Sequence, residues 1–200
     1  MKNQKLIKTA ENLDTLVKVC RGILSAVGIV CLVFAVLVLI LGSKMYDTVN
    51  FSIDLDYLKL HLAEGIQLEE GPLNLYLILS LLVVFGLTMA VCYGLKQCRN
   101  ILAPMKEGRP FAENVPACLK KLALTVLIGG AVMELCGIAE RMILAHACSV
   151  EQLFHPDRVV LVEEAYTVDF SFILVFCIIQ FLSYIFTYGQ ELQKESDETL

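Results

Sequence analysis

The chain has 200 residues, 57% of them apolar and 18% charged, with a formal net charge of −5 and a mean hydropathy of +0.69. That is more apolar surface than a soluble core of this length encloses, so an ordinary soluble domain is excluded and lipid is the expected solvent. The net charge sums over segments of opposite sign and carries no argument for nucleic-acid binding.

In chain order, residues 1–21 place Leu6, Ala10, Leu13, Val17 and Cys20 at helical spacing between lysines. This predicts an amphipathic helix lying on the inner leaflet. Gly22–Ser43 then contains no Asp, Glu, Lys or Arg and is long enough to cross a hydrocarbon layer that takes about 20 apolar residues. It is too long for a signal-peptide core and no small-residue cleavage site follows, so it is expected to remain as an anchor, the first span, 22–43.

An outer loop, 44–72, follows. Val49, Phe51, Ile53, Leu55 and Tyr57 alternate there with Asn50, Ser52, Asp54 and Asp56, the period of a half-buried strand. Gly71-Pro72 opens the second span, 73–95, which is uncharged and has Ser80, Gly86 and Thr88 as its small or polar positions. Small residues of this kind let helices approach closely.

Residues 96–118 read as a basic, turn-rich hinge. Gly108 supplies backbone freedom, Pro110 pushes Arg109 to an extended conformation, and Asn114 with Pro116 marks a helix start. The third span, 119–147, is accepted with Glu134 inside it and with Glu140 and Arg141 near its outer end. The second outer loop, 148–169, repeats a weaker strand period at Val160, Val162, Tyr166, Val168 and Phe170. An isolated strand leaves its ladder groups unpaired, so the two loops are expected to pair as a small β cap. The fourth span, 170–190, runs into an acidic tail, 191–200.

Lys and Arg concentrate in 1–21 and 96–121, whereas 44–70 and 140–169 are dominated by acids. The positive-inside rule then puts both termini and the hinge in the cytoplasm. The fold class is an all-α membrane protein, a four-transmembrane-helix bundle with an extracellular β cap made by the two outer loops.

Gly130, Glu134, Gly137 and Arg141 recur at helical intervals and share one face of the third helix. A carboxylate at mid-membrane costs several kcal/mol unless it is compensated, so this face is expected to point inward, toward Gln180 on the fourth helix and Thr88 on the second. Glu134 is then either part of a proton or cation site or a carboxyl that only hydrogen-bonds between helices. The second reading is favoured, because transporters show more broken helices and more intramembrane charge.

The eight cysteines form no Cys-x-x-Cys pair, and Cys31, Cys92, Cys136 and Cys177 fall within spans, where a free thiol acts as a small hydrophobe. His61, His146 and His155 read as solvated loop residues, so no metal site and no cofactor are expected. No nucleophile–base arrangement or phosphate-cradling glycine loop is present. Catalytic residues are therefore not assigned, and the chain is not expected to be an enzyme.

Lys106-Glu-Gly-Arg-Pro-Phe111 followed by Asn114, together with the tail from Tyr188 through Glu191-Leu-Gln-Lys-Glu195-Ser-Asp197 to Glu198, resembles a family of bacterial four-span membrane proteins of unknown function. The likeness covers essentially the whole chain, and the cysteine content departs from it. The resemblance implies a plasma-membrane protein often encoded beside a small Xre-like helix-turn-helix regulator, and it implies no catalytic residue. It suggests a sensor or anchor for such a regulator. Arg109 and Phe111 at the hinge and Glu191, Glu195, Asp197 and Glu198 in the tail are the candidate contacts to a basic partner. The alternative is a small transport or export component using Glu134 and Arg141. Expected partners are the lipid bilayer, that cytoplasmic regulator and, in a homo-oligomer, a second copy of the chain; direct contact with nucleic acid is not expected.

Overall fold

The computed structural model describes residues 2–41, 52–55, 58–61, 70–148 and 168–198. They form helix α1 (Lys2–Leu41), strands β1 (Ser52–Leu55) and β2 (Leu58–His61), and helices α2 (Glu70–Lys106), α3 (Asn114–Cys148) and α4 (Ser171–Glu198). Each of the four helices is long and apolar enough to cross a membrane. At 1.5 Å per residue, the 40 residues of α1 and the 37 of α2 extend about 60 and 55 Å, well beyond a hydrocarbon layer of roughly 30 Å.

Within the spans the outward-facing side chains are themselves apolar, as with Ile40 (73% exposed), Leu135 (68%) and Leu174 (65%). Such a surface suits lipid and would be penalised in water.

The chain groups into two compact units, one of Met1–Ile29, Phe85–Leu135 and Thr167–Leu200, the other of Val30–Val84 and Cys136–Tyr166. In the first unit the buried positions include Ala10, Asp14 and Val17 of α1, Thr88, Cys92 and Gln97 of α2, Val115, Cys118, Leu119 and Ala123 of α3, and Ser183 of α4.

Three features differ from the sequence expectations. Residues 2–21 are not a separate surface helix: α1 is continuous through them, and its buried stripe is Ala10, Asp14 and Val17, while Leu13 is 46% exposed. The hinge is shorter than 96–118, because α2 continues through Pro104 to Lys106 and only residues 107–113 are non-helical.

The stop itself is a Schellman motif. Gly108 takes φ +75°, Arg109 N–H donates to Pro104 O at 2.9 Å and Gly108 N–H to Met105 O at 3.1 Å, and Pro110 then prevents continuation. α3 starts at Asn114 with Pro116 in its first turn, where a missing N–H costs nothing.

The third difference is the β cap, which is not supported. β1 lies inside the predicted alternating stretch, but it pairs antiparallel with β2, in register Ser52↔His61 to Leu55↔Leu58. Closing so short a loop costs far less entropy than joining two distant loops. The strand expected in the second outer loop lies outside the described residues apart from Val168, Asp169 and Phe170, which are irregular.

Candidate functional site

The polar end of the first unit is assembled from the α2–α3 turn and the end of α4. Gln190 of α4 donates from Nε2 to Ala112 O at 2.6 Å, and Ser183, fully buried, donates to Pro116 O at 3.1 Å. Phe111 lies over Gly189, where a Cβ would meet Phe111 Cδ1 at 2.7 Å. Its ring centroid is 5.7 Å from that of Phe186, at 48°, a tilted aromatic pair. Glycine at 189 thus admits the ring, and the ring ties the turn to α4.

Beside these contacts runs a groove of ≈ 990 Å³, lined from α2 and the turn by Pro104, Glu107, Arg109, Phe111 and Glu113, and from α4 by Gln190, Glu191, Lys194, Asp197 and Glu198. Its described lining carries five carboxylates and two cations. Both cations are engaged locally: Arg109 pairs with Glu107, and Lys194 Nζ lies 3.9 Å from Glu198 Oε1. Glu113, Glu191 and Asp197 have no ion-pair partner among the described residues. The groove therefore presents negative potential with one half-exposed aromatic ring at its edge.

Five of the six residues expected to meet a partner, Arg109, Phe111, Glu191, Asp197 and Glu198, line this one groove, while Glu195 is exposed outside it. The intramembrane residues do not assemble as expected. Thr88, 5% exposed, packs its methyl against α1 at Gly28, where a Cβ would lie 3.3 Å away. No hydrogen bond joins half-buried Glu134 to Thr88 or Gln180 among the described residues. Arg141 is exposed and belongs to the second unit. Gly130 does permit close approach, but what enters is the apolar Phe172 of α4.

Compared with protein-family models, with characterised proteins and with solved structures, the chain matches none. The resemblance drawn from the hinge and tail therefore rests on those motifs alone.

Two features escaped sequence reasoning. The first is a cluster around Asp14, only 4% exposed, which accepts from Arg99 Nε at 2.9 Å, from Lys18 Nζ at 3.2 Å and from Lys106 Nζ. Lys106, then Arg99, then Lys18 hold its carboxyl well below the usual carboxylate range, against the opposing effect of desolvation. Asp14 sits in an apolar stripe of α1, and that misplaced charge was the available signal. The second lies in the other unit, where the buried oxygens Ser80 Oγ of α2 and Glu140 Oε1 of α3 face each other. No group of three or more His, Cys, Asp or Glu converges to hold a metal among the described residues.

Proposed function

We propose that the protein is a non-enzymatic, multi-pass anchor and sensor of a bacterial plasma membrane, with both termini cytoplasmic, that holds a helix-turn-helix regulator at the α2–α3 turn and the α4 tail. One observation carries this reading: residues about 80 positions apart in sequence form a single acidic groove with an aromatic edge. A DNA-binding regulator carries a basic face, and an acidic groove complements it and competes with DNA for it. The helix-turn-helix identity comes from the resemblance of the hinge and tail motifs.

The test is capture of the regulator from native membranes by the full chain and by a triple variant, Glu191→Lys/Asp197→Lys/Glu198→Lys. Capture of a helix-turn-helix protein that is lost in the variant supports the proposal. Equal capture by both, or recovery of the chain alone, refutes it.

A second reading, a small transport component, draws on the facing pair Ser80 and Glu140 in place of the expected Glu134 site, because a carboxyl within a span is costly and is kept where it serves a purpose. Ion flux in proteoliposomes that is abolished by Glu140→Gln would favour it over the anchor; absence of flux in both forms removes it.

A further inference from the structure

The cluster at Asp14 has an excess of cations that helix packing does not require. One carboxylate, its side chain 6% exposed, faces Lys18, Arg99 and Lys106, whose side chains are 54%, 36% and 30% exposed. A single partner compensates a buried carboxylate; three leave two positive charges over.

The donors are also used sparingly. Arg99 gives Asp14 only its Nε, so the guanidinium fork at Nη1 and Nη2 has no partner among the described residues. Each ammonium has three N–H donors, and Lys18 and Lys106 each direct one at Asp14. The carboxylate thus pins three cations from inside and leaves their remaining donors facing outward.

Position narrows the anion. Lys18 stands four residues before Gly22, and Arg99 four residues after Leu95, the limits of two charge-free runs. At 1.5 Å per residue both lie about 6 Å past the hydrocarbon, whereas Lys106, eleven residues after Leu95, lies about 16 Å past it on the water side. Each headgroup layer is roughly 5–7 Å thick, the hydrocarbon core being about 30 Å of a bilayer some 40–45 Å across. A guanidinium fork beside an ammonium matches phosphate oxygens in charge and geometry.

We propose that Lys18 and Arg99, with Lys106 on their water side sharing Asp14, form a phosphate site between α1 and α2 whose occupant is the headgroup of an anionic phospholipid. The site is distinct from the acidic groove, has the opposite charge, and rests on the membrane-spanning reading of α1 and α2. Occupancy would hold the two helices together where they leave the bilayer.

The full chain in uncharged detergent micelles is titrated with short-chain phosphatidylglycerol, short-chain phosphatidylcholine and inorganic phosphate, with binding followed by calorimetry and native mass spectrometry. Saturable binding of phosphatidylglycerol alone among the lipids is the expected result. Lys18→Gln should weaken it about fivefold, the usual effect of one interfacial cation. This variant keeps the fold, since Arg99 and Lys106 still compensate Asp14. Arg99→Lys, which keeps the charge and loses the fork, should also weaken binding. Lys121→Gln, at an exposed basic position outside the cluster, should leave it unchanged.

Competition by inorganic phosphate supports the anion chemistry. Phosphate binding without any phosphatidylglycerol binding overturns the lipid as its source. Equal binding of the two lipids, or equal losses from Lys18→Gln and Lys121→Gln, overturns the site.

Discussion

Two adjacent glycines on α3 allow the packing of α3 on α4 to be weighed directly. A Cβ at Gly130 would overlap Phe172 Cβ and Cγ and lie 2.7 Å from its Cδ2, whereas a Cβ at Gly129 meets nothing within 4 Å. Both Gly→Ala changes share the same gain in helix propensity, up to about 1 kcal/mol, so it cancels in the difference between them. What remains is overpacking at Gly130, about 1–3 kcal/mol. Rotation about χ1 of Phe172 moves Cγ and the ring but not Cβ, so α4 itself must shift. Unfolding of the full chain in mixed micelles with increasing dodecyl sulfate should therefore place Gly130→Ala about 1–3 kcal/mol below Gly129→Ala. Adding Phe172→Ala should recover part of the loss, with a coupling energy of about 0.5–3 kcal/mol between the two sites. Coincident midpoints for Gly129→Ala and Gly130→Ala would refute the close approach of α4 to α3.

Ser183→Ala removes a fully buried donor to Pro116 O and should cost about 1 kcal/mol in the same titration. Phe111→Ala loses the ring pair with Phe186, so amide exchange in residues 191–198 of α4 should speed up while that in the α3 span does not change. Asp14 fixes the sign of an acid response. Its folded carboxyl titrates below the ordinary range, so its contribution to stability is fully present above the unfolded value of about 4 and is lost as pH falls through the folded one. An acid unfolding series of wild type against Asp14→Asn should show the wild-type advantage shrinking only below about pH 4; an advantage that shrinks instead on raising the pH would contradict the assignment.

Much of the molecule is legible in local sequence, because each inference there uses one element and its solvent. A charge-free run such as the part of α1 from Gly22 to Leu41 must be helical in hydrocarbon, where every backbone polar group has to be satisfied within the segment; four spans follow without knowledge of packing. Gly108 and Pro110 mark a stop through backbone sterics alone, and β1 sits where alternation placed a strand. The extent of the hinge was misjudged because basic composition signals water, not loss of helix. Residues 96–106 stay helical, burying Gln97 and holding Asp14 through Arg99 and Lys106.

Other features required the tertiary arrangement. Periodicity put Gly130, Glu134 and Arg141 on one face of a helix, but only the neighbouring helices determine what faces it, and at Gly130 this is a phenyl ring. Leu13 and Asp14 are adjacent, and the charged one is buried, because burial follows the contact surface of α2 and not the hydrophobicity of α1. The strand at Ser52–Leu55 could be read, yet its partner could not, since pairing depends on which loop closes at the lower entropic cost. Local composition and backbone chemistry thus determined the spans, the stop and the charge of each end. The meeting of Phe111 with Gly189, of the turn with the acidic tail, and of Asp14 with cations 85 and 92 residues away was decided by three-dimensional packing, because these contacts join positions whose separation in the chain leaves no local signal.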